Sequence, residues 1–415
     1  MVTLRPGSHV WRLLTVLSAA GEFPAQSLHL LGSERTLEKL VHRLELPQEV
    51  RSPAGAVLGT YKLLTVSGRR ERRTIRLCKG ALPLLQALHP AALSHYLAMY
   101  GAYRFSSNDA HVQRNHRVAE ALALCFGAGA EVRPCALPPL QKREICQVVP
   151  DSPSFYIARS LKRLDSTEMN KTIFTRLTGA LFCPDICYAI YNARGAVMKW
   201  SGMGEFKTAN HLTELARMNA GIPQTDRAIL LGECMDIALQ TLLESDKSRR
   251  MELRFDRIYQ HIHYIPMNEL GMRMLRILML PDWNEQLLSA AFPPEWRLLA
   301  PSSLECDAQR EESFILSHLD GDIARLVRLR QALENTQIPF EILSPGSQRF
   351  CMTIWAAAFS CVKLIWKRWR ARWDSLYQKQ TSIRTIGRMS CRDTGTEQGI
   401  GGSSRFDWLL PIRME

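Results

Sequence analysis

Residues 61–78, YKLLTVSGRRERRTIRLC, decide how the first quarter of the chain is interpreted. Two short runs within it, 61–66 and 74–78, are rich in apolar and β-branched residues and are typical of strands. Ser67-Gly68 between them is a turn signal. Four arginines follow the turn: Arg69, Arg70, Arg72 and Arg73. The stretch therefore predicts a β-hairpin with a strongly basic tip.

Three helices are predicted upstream of this hairpin. Residues 8–20 hold apolar side chains at helical spacing, and a shorter helix follows over 24–32. Ser33 is placed to cap the third helix, residues 34–45. Its apolar residues fall at i, i+3, i+4 and i+7 and form one face: Leu37, Leu40, Val41 and Leu44. Outside that face lie Arg35, Lys39, His42 and Arg43.

Three short helices followed by a hairpin with a basic tip are the order of a winged helix-turn-helix domain, which we predict for residues 1–105. In that fold the third helix enters the DNA major groove, and the wing lies on phosphates or in the minor groove. Arginine suits both contacts because its planar group binds phosphate or guanine through two hydrogen bonds. We therefore expect double-stranded DNA as a partner. The predicted contacts are Arg35, Lys39, Arg43, Arg69, Arg70, Arg72 and Arg73. An open alternative is a winged helix that contacts protein, with its arginines solvated.

The distribution of charge supports this division of the chain. The 415 residues include 53 Lys and Arg against 40 Asp and Glu, a formal charge of +13. Residues 1–120 carry +8 and residues 362–415 carry +6, whereas the residues between them carry −1. Such a balance points to a polyanion as partner. The composition is otherwise ordinary, with 46% apolar and 22% charged residues, which excludes a disordered chain and a multi-span membrane protein.

The middle of the chain is predicted to be a separate α/β domain. Residues 106–150 are interpreted as a helical connector and a Pro-rich linker, and residues 151–345 as the domain itself. Strands are expected at 155–161, 186–192, 196–200, 227–233 and 255–266. Helices are expected at 172–182, 208–221, 235–246 and 268–280. Two strands, a helix over 322–334 and a last strand complete the domain. Such alternation indicates a mixed sheet packed against helices.

One constellation in this domain has the composition of a metal-dependent nuclease site. Asp185 heads one predicted strand, and Glu205 and Lys207 end the next. Two carboxylates on neighbouring strands hold Mg²⁺, which polarises a phosphate and lowers the pKa of a bound water. Lys207 lies two residues from Glu205, on the same strand face, where it orients that water. The order of elements is that of a restriction-endonuclease-like fold. A nuclease-like scaffold without activity and an accidental spacing are the open alternatives.

Two further groups carry metal-ligating side chains. His261 and His263 share one strand face, but no third ligand is obvious nearby in the sequence, so a structural pair is preferred. Asp320-Gly321-Asp322 is interpreted as a turn that caps the next helix rather than as an acidic metal site. Cys183 and Cys187 lack a second pair of ligands, which argues against a zinc site. The eleven cysteines are expected to be free thiols of a cytoplasmic protein.

Residues 346–415 are predicted to be a basic, Trp-rich and partly disordered segment. The run 350–366 is apolar but short and contains Lys363, so it is interpreted as a buried helix and no stable membrane insertion is expected. Residues 363–373, KLIWKRWRARW, place five basic residues beside three Trp. A basic amphipathic helix, a disordered basic tail and a terminus without a selected role are the three alternatives for this segment.

Three stretches of the chain resemble the replication-relaxation family of plasmids and conjugative elements. They are KGALPLLQAL (79–88), HVQRNHRVAEALALC (111–125) and PDICYAIYN with AVMKWSGMGEFKT (184–208). The resemblance covers about residues 8–345 and implies a winged helix joined to a nuclease-like domain, which binds DNA in plasmid replication, DNA relaxation or mobilisation. It departs from the family in the second acidic motif. A carboxylate is expected near Lys199 or Trp200, none is present, and Glu205 would have to take its place.

Three functional hypotheses follow. The leading one is a cytoplasmic DNA-binding protein of a mobile genetic element, which acts in replication or transfer, with replication or mobilisation proteins as further partners and a homodimer as an open alternative. The second is a Mg²⁺-dependent DNA-nicking enzyme that uses Asp185, Glu205 and Lys207. The third is a winged-helix transcription regulator without catalysis. Whether the chain is an enzyme stays open at this point.

Overall fold

The computed structural model describes residues 1–345, with gaps, and the strand 362–365. The gaps are 53, 90, 103–104, 139, 141–142, 150–151, 163–175, 201, 246–249, 299–304 and 335–337. The described residues form four sheets with helices packed against them, so the predicted mixed α/β class is confirmed. In this part of the chain no helix has both the length and the apolar character needed to cross a membrane. The predicted basic tail beyond residue 365 lies outside the described residues.

The N-terminal region begins with helices close to those predicted. α1 (His9–Ala20) is capped by the Ser8 side chain and ends at Gly21, whose φ of 80° suits glycine. A 3₁₀ helix, Ala25–Leu31, takes the place of the short second helix. α2 (Glu34–Leu44) buries the four apolar residues of its predicted face. The period of the apolar residues therefore predicted the orientation of this helix correctly.

The basic hairpin forms as predicted. β5 (Leu64–Ser67) and β6 (Thr74–Leu77) are antiparallel, with Ser67 paired to Thr74 across the tip. β2 (Glu22–Pro24) pairs with the other edge of β6, which gives the order β2-β6-β5. The predicted first strand, 61–66, is broken at Lys62 and Leu63. The Leu63 amide donates to the carbonyl of Leu44 at the end of α2 instead of to a strand.

A second small sheet was not predicted; two of its strands lie between α2 and β5 in the sequence, and the third precedes α1. It consists of β1 (Val2–Thr3), β3 (Gln48–Arg51) and β4 (Val57–Tyr61), in the order β1-β3-β4. Every residue of β4 is at least partly exposed, so the strand has no buried face. A strand without alternating burial leaves no period of two in the sequence.

A long helix joins the N-terminal region to the rest of the molecule. It is α5 (Asp109–Ala128), which follows α3 (Leu82–Leu88) and α4 (Ala92–Tyr100). The helix expected within the predicted connector, 106–150, is confirmed and spans Asp109–Ala128. The apolar residues of α5 share one core with those of α1, β6 and β9 (Ile186–Arg194). The predicted connector is therefore a central, packed element.

The largest sheet has five strands in chain order. They are β7 (Ser154–Ile157), β8 (Leu177–Phe182), β9, β10 (Gln224–Gly232) and β11 (His261–Pro266). β8 is antiparallel to both of its neighbours, whereas β9, β10 and β11 are parallel. The helices of this part are α6 (Ile145–Val148), α7 (Ala158–Lys162), α8 (Gly202–Ala220), α9 (Met235–Ser245), α10 (Phe255–Ile258), α11 (Glu269–Leu278) and α12 (Trp283–Ala291).

Several predicted elements of this sheet are wrong. The helix predicted at 172–182 is replaced by strand β8, and its first four positions lie outside the described residues. All six residues of β8 are buried, and a short apolar run does not distinguish a buried strand from a helix. The strand predicted at 196–200 is a loop, because α8 begins already at Gly202. The strands predicted at 155–161 and 255–266 are both partly helical, over α7 and α10.

The last sheet has four strands. They are β12 (Ala308–Arg310), β13 (Ser313–Ser317), β14 (Phe340–Leu343) and β15 (Val362–Ile365), in that order. α13 (Ile323–Leu333) connects β13 to the parallel strand β14, and Asp322 caps it by accepting hydrogen bonds from the amides of Ala324 and Arg325, as predicted. β15 lies where a buried helix was predicted. That prediction is wrong for these four residues because they pair with β14, and residues 350–361 and 366 lie outside the described residues.

Candidate functional site

All seven basic residues predicted to contact DNA are exposed. Among the described residues only Arg72 has a carboxylate partner, Asp109, 2.9 Å away on the surface. Glu34 and Glu38 are also exposed on α2, so residues 34–44 have a formal charge of only +1, whereas the tip, 68–73, has +3. The hairpin tip is therefore the stronger positive patch of the two.

The hairpin is attached to the end of α2. The amide of Val66 on β5 donates to the Glu45 carboxylate, 3.1 Å away, just beyond the last turn of α2. Arg69 is three residues further along, about 10 Å of extended chain. The turn itself needs Gly68, whose φ is +85° and where an added Cβ would lie 2.2 Å from the carbonyl oxygen of Arg72. β5 and the end of α2 are thus joined by a direct hydrogen bond, with the tip a few residues beyond it.

Side chains of α5 contact the base of the hairpin and the neighbouring strand β2. Glu22 of β2 is buried and accepts hydrogen bonds from Arg76 of β6, at 2.7 Å, and from Asn115 of α5, at 2.8 Å. His116 of α5 is also buried, and its Nε2 lies 2.9 Å from the Thr74 hydroxyl. Burial lowers the pKa of His116 to about 4, and the nearby charges of Arg194 and Arg76 act in the same direction. His116 is therefore neutral at physiological pH.

The predicted nuclease residues are not brought together. Asp185 is exposed before the first residue of β9 and lines a cleft of about 240 Å³ with Gln224, Arg227 and residues 282–285. Glu205 is fully buried in the first turn of α8, not at the end of a strand as predicted. Lys207 is two residues further along the helix and exposed, so it does not share a strand face with Glu205.

Glu205 belongs to a buried hydroxyl network. Its Oε2 accepts a hydrogen bond from the Tyr191 hydroxyl at 3.2 Å, and that hydroxyl lies 2.9 Å from the hydroxyl of Tyr259. Tyr191 is six residues from Asp185, about 20 Å along the chain. The two carboxylates therefore do not share one Mg²⁺ ion, whose ligands lie within about 2.1 Å of it. This set of residues does not fit the predicted metal centre.

A different cluster forms where the largest sheet meets the last one. One ligand atom each of His263, Asp320 and Asp322 lie within 4.8 Å of one another, and all three residues are buried. The Nδ1 atom of His263 is 3.1 Å from the backbone oxygen of Asp320 and 3.6 Å from its Oδ2. In the sequence the two halves of this cluster are 57 residues apart, and neither half alone predicts a metal site.

The surroundings of the cluster hold Asp322 ionised. Its Oδ1 accepts hydrogen bonds from the amides of Ile262, Ala324 and Arg325, and its Oδ2 lies 2.7 Å from the Nδ1 of His261. Burial opposes ionisation, but the contact with His261 prevails and holds the pKa of Asp322 below its usual range. A buried carboxylate with this many donors is a fixed anionic point in the fold.

Two imidazoles beside the carboxylates are neutral. Burial lowers the pKa of His263 and that of His318, although Asp320 and Asp322 act in the opposite direction. Within the part of the chain that the structure describes, the Nε2 atoms of both rings have no hydrogen-bond partner. His318 was not predicted as a site residue, because a single His in a strand-like run carries no spacing signal.

Comparisons of the chain with protein-family models, with curated proteins and with solved structures give no match. The resemblance to the replication-relaxation family therefore stays a prediction that rests on the stretches quoted for it.

Proposed function

We propose that the chain is a DNA-binding protein whose residues 1–105 form a winged helix-turn-helix domain. The order of elements supports this: α1, β2, the 3₁₀ helix, α2, β5 and β6, with β2 paired to β6. α2 is the third helical segment, where the fold has its recognition helix, and the tip of β5 and β6 is the wing. The hairpin of β3 and β4 is an insertion between α2 and β5.

The observation that carries the proposal is the exposure of the wing arginines. Arg69, Arg70, Arg72 and Arg73 surround one tip, and among the described residues only Arg72 has an acidic partner. Exposed guanidinium groups concentrated on a turn are available for phosphate oxygens. The same charges on a purely protein-binding surface would require an acidic partner of matching shape.

The proposal is tested by the salt dependence of binding to duplex DNA. We expect the affinity to fall steeply with salt, since each neutralised phosphate releases counterions. Replacing all four wing arginines by Ala lowers the affinity and flattens the logarithmic slope by up to about 4. The matched control removes four exposed arginines elsewhere: Arg143, Arg217, Arg257 and Arg330. An unchanged slope in the wing variant, or equal effects of both variants, refutes the wing assignment.

We further propose that the protein acts on mobile-element DNA in replication, relaxation or mobilisation, as the family resemblance implies. Loss of plasmid copy number or transfer frequency in the wing variant, with normal protein level, supports this role. Protection of a promoter alone, with copy number and transfer unchanged, favours the transcription regulator. Replication or mobilisation proteins as partners, and a homodimer, belong to the same proposal.

For the central domain we propose a nuclease-like scaffold without catalysis by the predicted residues. Three antiparallel strands, β7, β8 and β9, are followed by α8 and the parallel strand β10, with the short helix α7 between β7 and β8, and this order favours the fold. The separation of Asp185 from Glu205 argues against cleavage. Supercoiled DNA incubated with the protein and Mg²⁺ should stay intact. Nicking that is lost in Asp185→Asn would restore the enzyme hypothesis.

A further inference from the structure

We infer that His263, Asp320 and Asp322 bind a divalent transition-metal ion such as Zn²⁺ at the junction of the two larger sheets. The inference is independent of the proposed DNA binding, because these residues lie on β11 and at the start of α13 rather than on the N-terminal region. One imidazole nitrogen and two carboxylates form a mixed nitrogen and oxygen ligand set.

The backbone builds the site from two distant parts of the chain. His263 is in β11, and the turn 320–322 follows β13. The amide of Tyr264 donates to the carbonyl of Gly321 at 2.8 Å, and His263 pairs with Asp322 in an isolated β-bridge. Gly321 has φ of +73°, and an added Cβ would lie 2.5 Å from the carbonyl oxygen of Tyr264. The ligands are therefore positioned by main-chain hydrogen bonds before an ion arrives.

The distances suit an ion between the side chains. With metal–ligand bonds of about 2.1 Å, two ligands of a tetrahedral ion lie about 3.4 Å apart. The His263 Nδ1 and the Asp320 Oδ2 are 3.6 Å apart, too far for a good hydrogen bond and close to that spacing. In this structure the His263 Nδ1–H donates to the Asp320 carbonyl oxygen at 3.1 Å, so metal binding through Nδ1 replaces that hydrogen bond and leaves the ring proton on Nε2. A small movement of the Asp320 carboxylate then brings its Oδ2 to the ligand–ligand spacing of about 3.4 Å from the His263 Nδ1.

The ligands also have the supporting contacts that metal sites use. The amides of Ile262 and Ala324 orient the Asp322 carboxylate, and His261, partly exposed, contacts its second oxygen. The amide of Asp322 donates to the Asp320 Oδ1 at 3.1 Å, which leaves Oδ2 directed at His263. Contacts of this kind fix ligand orientation. An imidazole ligand favours Zn²⁺ over Ca²⁺ and Mg²⁺, which prefer all-oxygen sites.

The experiment is equilibrium dialysis of the full chain against Zn²⁺ after removal of metal with EDTA. We expect the wild type to bind one more Zn²⁺ than Asp320→Asn, or the variant to bind that ion at least about 10-fold more weakly. Asp256→Asn is the matched control, since Asp256 is a carboxylate of low exposure that pairs with Arg254. The control keeps the wild-type stoichiometry. Equal Zn²⁺ binding by the wild type and Asp320→Asn overturns the inference.

A second measurement does not depend on the folding of a variant. Anomalous diffraction from a crystal of the wild type grown with Zn²⁺ should show a peak within about 2.5 Å of the His263 ring and of Asp320. A crystal with Zn²⁺ peaks only elsewhere, or with none, overturns the inference as well. Zn²⁺ should also raise the melting temperature of the wild type but not that of Asp320→Asn, because binding stabilises the folded state alone.

Discussion

Arg194 at the end of β9 donates two hydrogen bonds to the Glu120 carboxylate of α5, both at 2.7 Å. Both side chains are largely buried, and Ser27 of the N-terminal region donates a third hydrogen bond to the same carboxylate, at 2.6 Å. One buried anion thus joins three parts of the molecule: the N-terminal region, the central helix and the largest sheet. The arginines of the hairpin tip are therefore carried by a region that is fixed to the sheet, not by one on a loose linker.

We therefore predict that Glu120→Ala destabilises the whole protein. It leaves the Arg194 guanidinium buried without a counterion, a change that costs about 3–5 kcal/mol. The measurement is the free energy of unfolding in urea. Glu269→Ala is the control, because Glu269 pairs with Arg273 on the surface and should cost less than about 1 kcal/mol. Equal effects of the two substitutions would contradict the role given to the buried pair.

The wing turn offers a sharper test of DNA binding than removal of charge. Gly68→Ala adds a Cβ that would lie 2.2 Å from the Arg72 carbonyl oxygen, so the turn must change shape. We expect a several-fold loss of DNA affinity with all arginines retained. Gly55→Ala is the matched control, because Gly55 has φ of +86° in another hairpin but nothing within 4 Å of an added Cβ. Equal DNA affinities of the two variants would exclude the wing as a contact.

The buried glutamate of α8 is predicted to be structural. Tyr191→Phe removes the hydroxyl between Glu205 and Tyr259 and should lower the free energy of unfolding by about 1–3 kcal/mol. Addition of Mg²⁺ should change neither the stability nor the melting temperature of the wild type through this network. Tyr61→Phe is a suitable control, since among the residues that the structure describes the Tyr61 hydroxyl donates one local hydrogen bond, to the carbonyl of Leu58. A Mg²⁺-dependent stability that Tyr191→Phe abolishes would contradict this role.

The local features of the N-terminal region were predictable from sequence because short-range chemistry decides them. Ser8 and Gly21 bound α1, and the apolar period of α2 predicts its buried face. The central sheet was less predictable. Leu177–Phe182 carry no periodic signal, and only pairing with β7 and β9 makes them a strand.

The candidate sites were likewise only partly predictable from the sequence. Glu205 and Lys207 match a nuclease spacing, yet the helix begins three residues before Glu205 and turns the pair away from the expected strand face. The His263 and Asp320 halves of the metal cluster are 57 residues apart, and no spacing rule links them. A β-bridge between β11 and the turn before α13 brings them together, and it can be seen only in the folded chain.

The last prediction concerns pH. The folded-state pKa of His116, about 4, lies below its ordinary value of 6.5, so the unfolded chain binds a proton at higher pH than the folded chain. Stability from this residue is full above about pH 6.5 and is lost as the pH falls towards 4, by roughly 3 kcal/mol in total. The physical reason is that burial, together with the nearby charges of Arg194 and Arg76, disfavours the protonated His116 ring. His116→Gln should therefore reduce the slope of unfolding free energy against pH, measured in urea between about pH 6 and 5, by nearly one proton. A His116→Gln slope equal to that of the wild type would contradict the assignment.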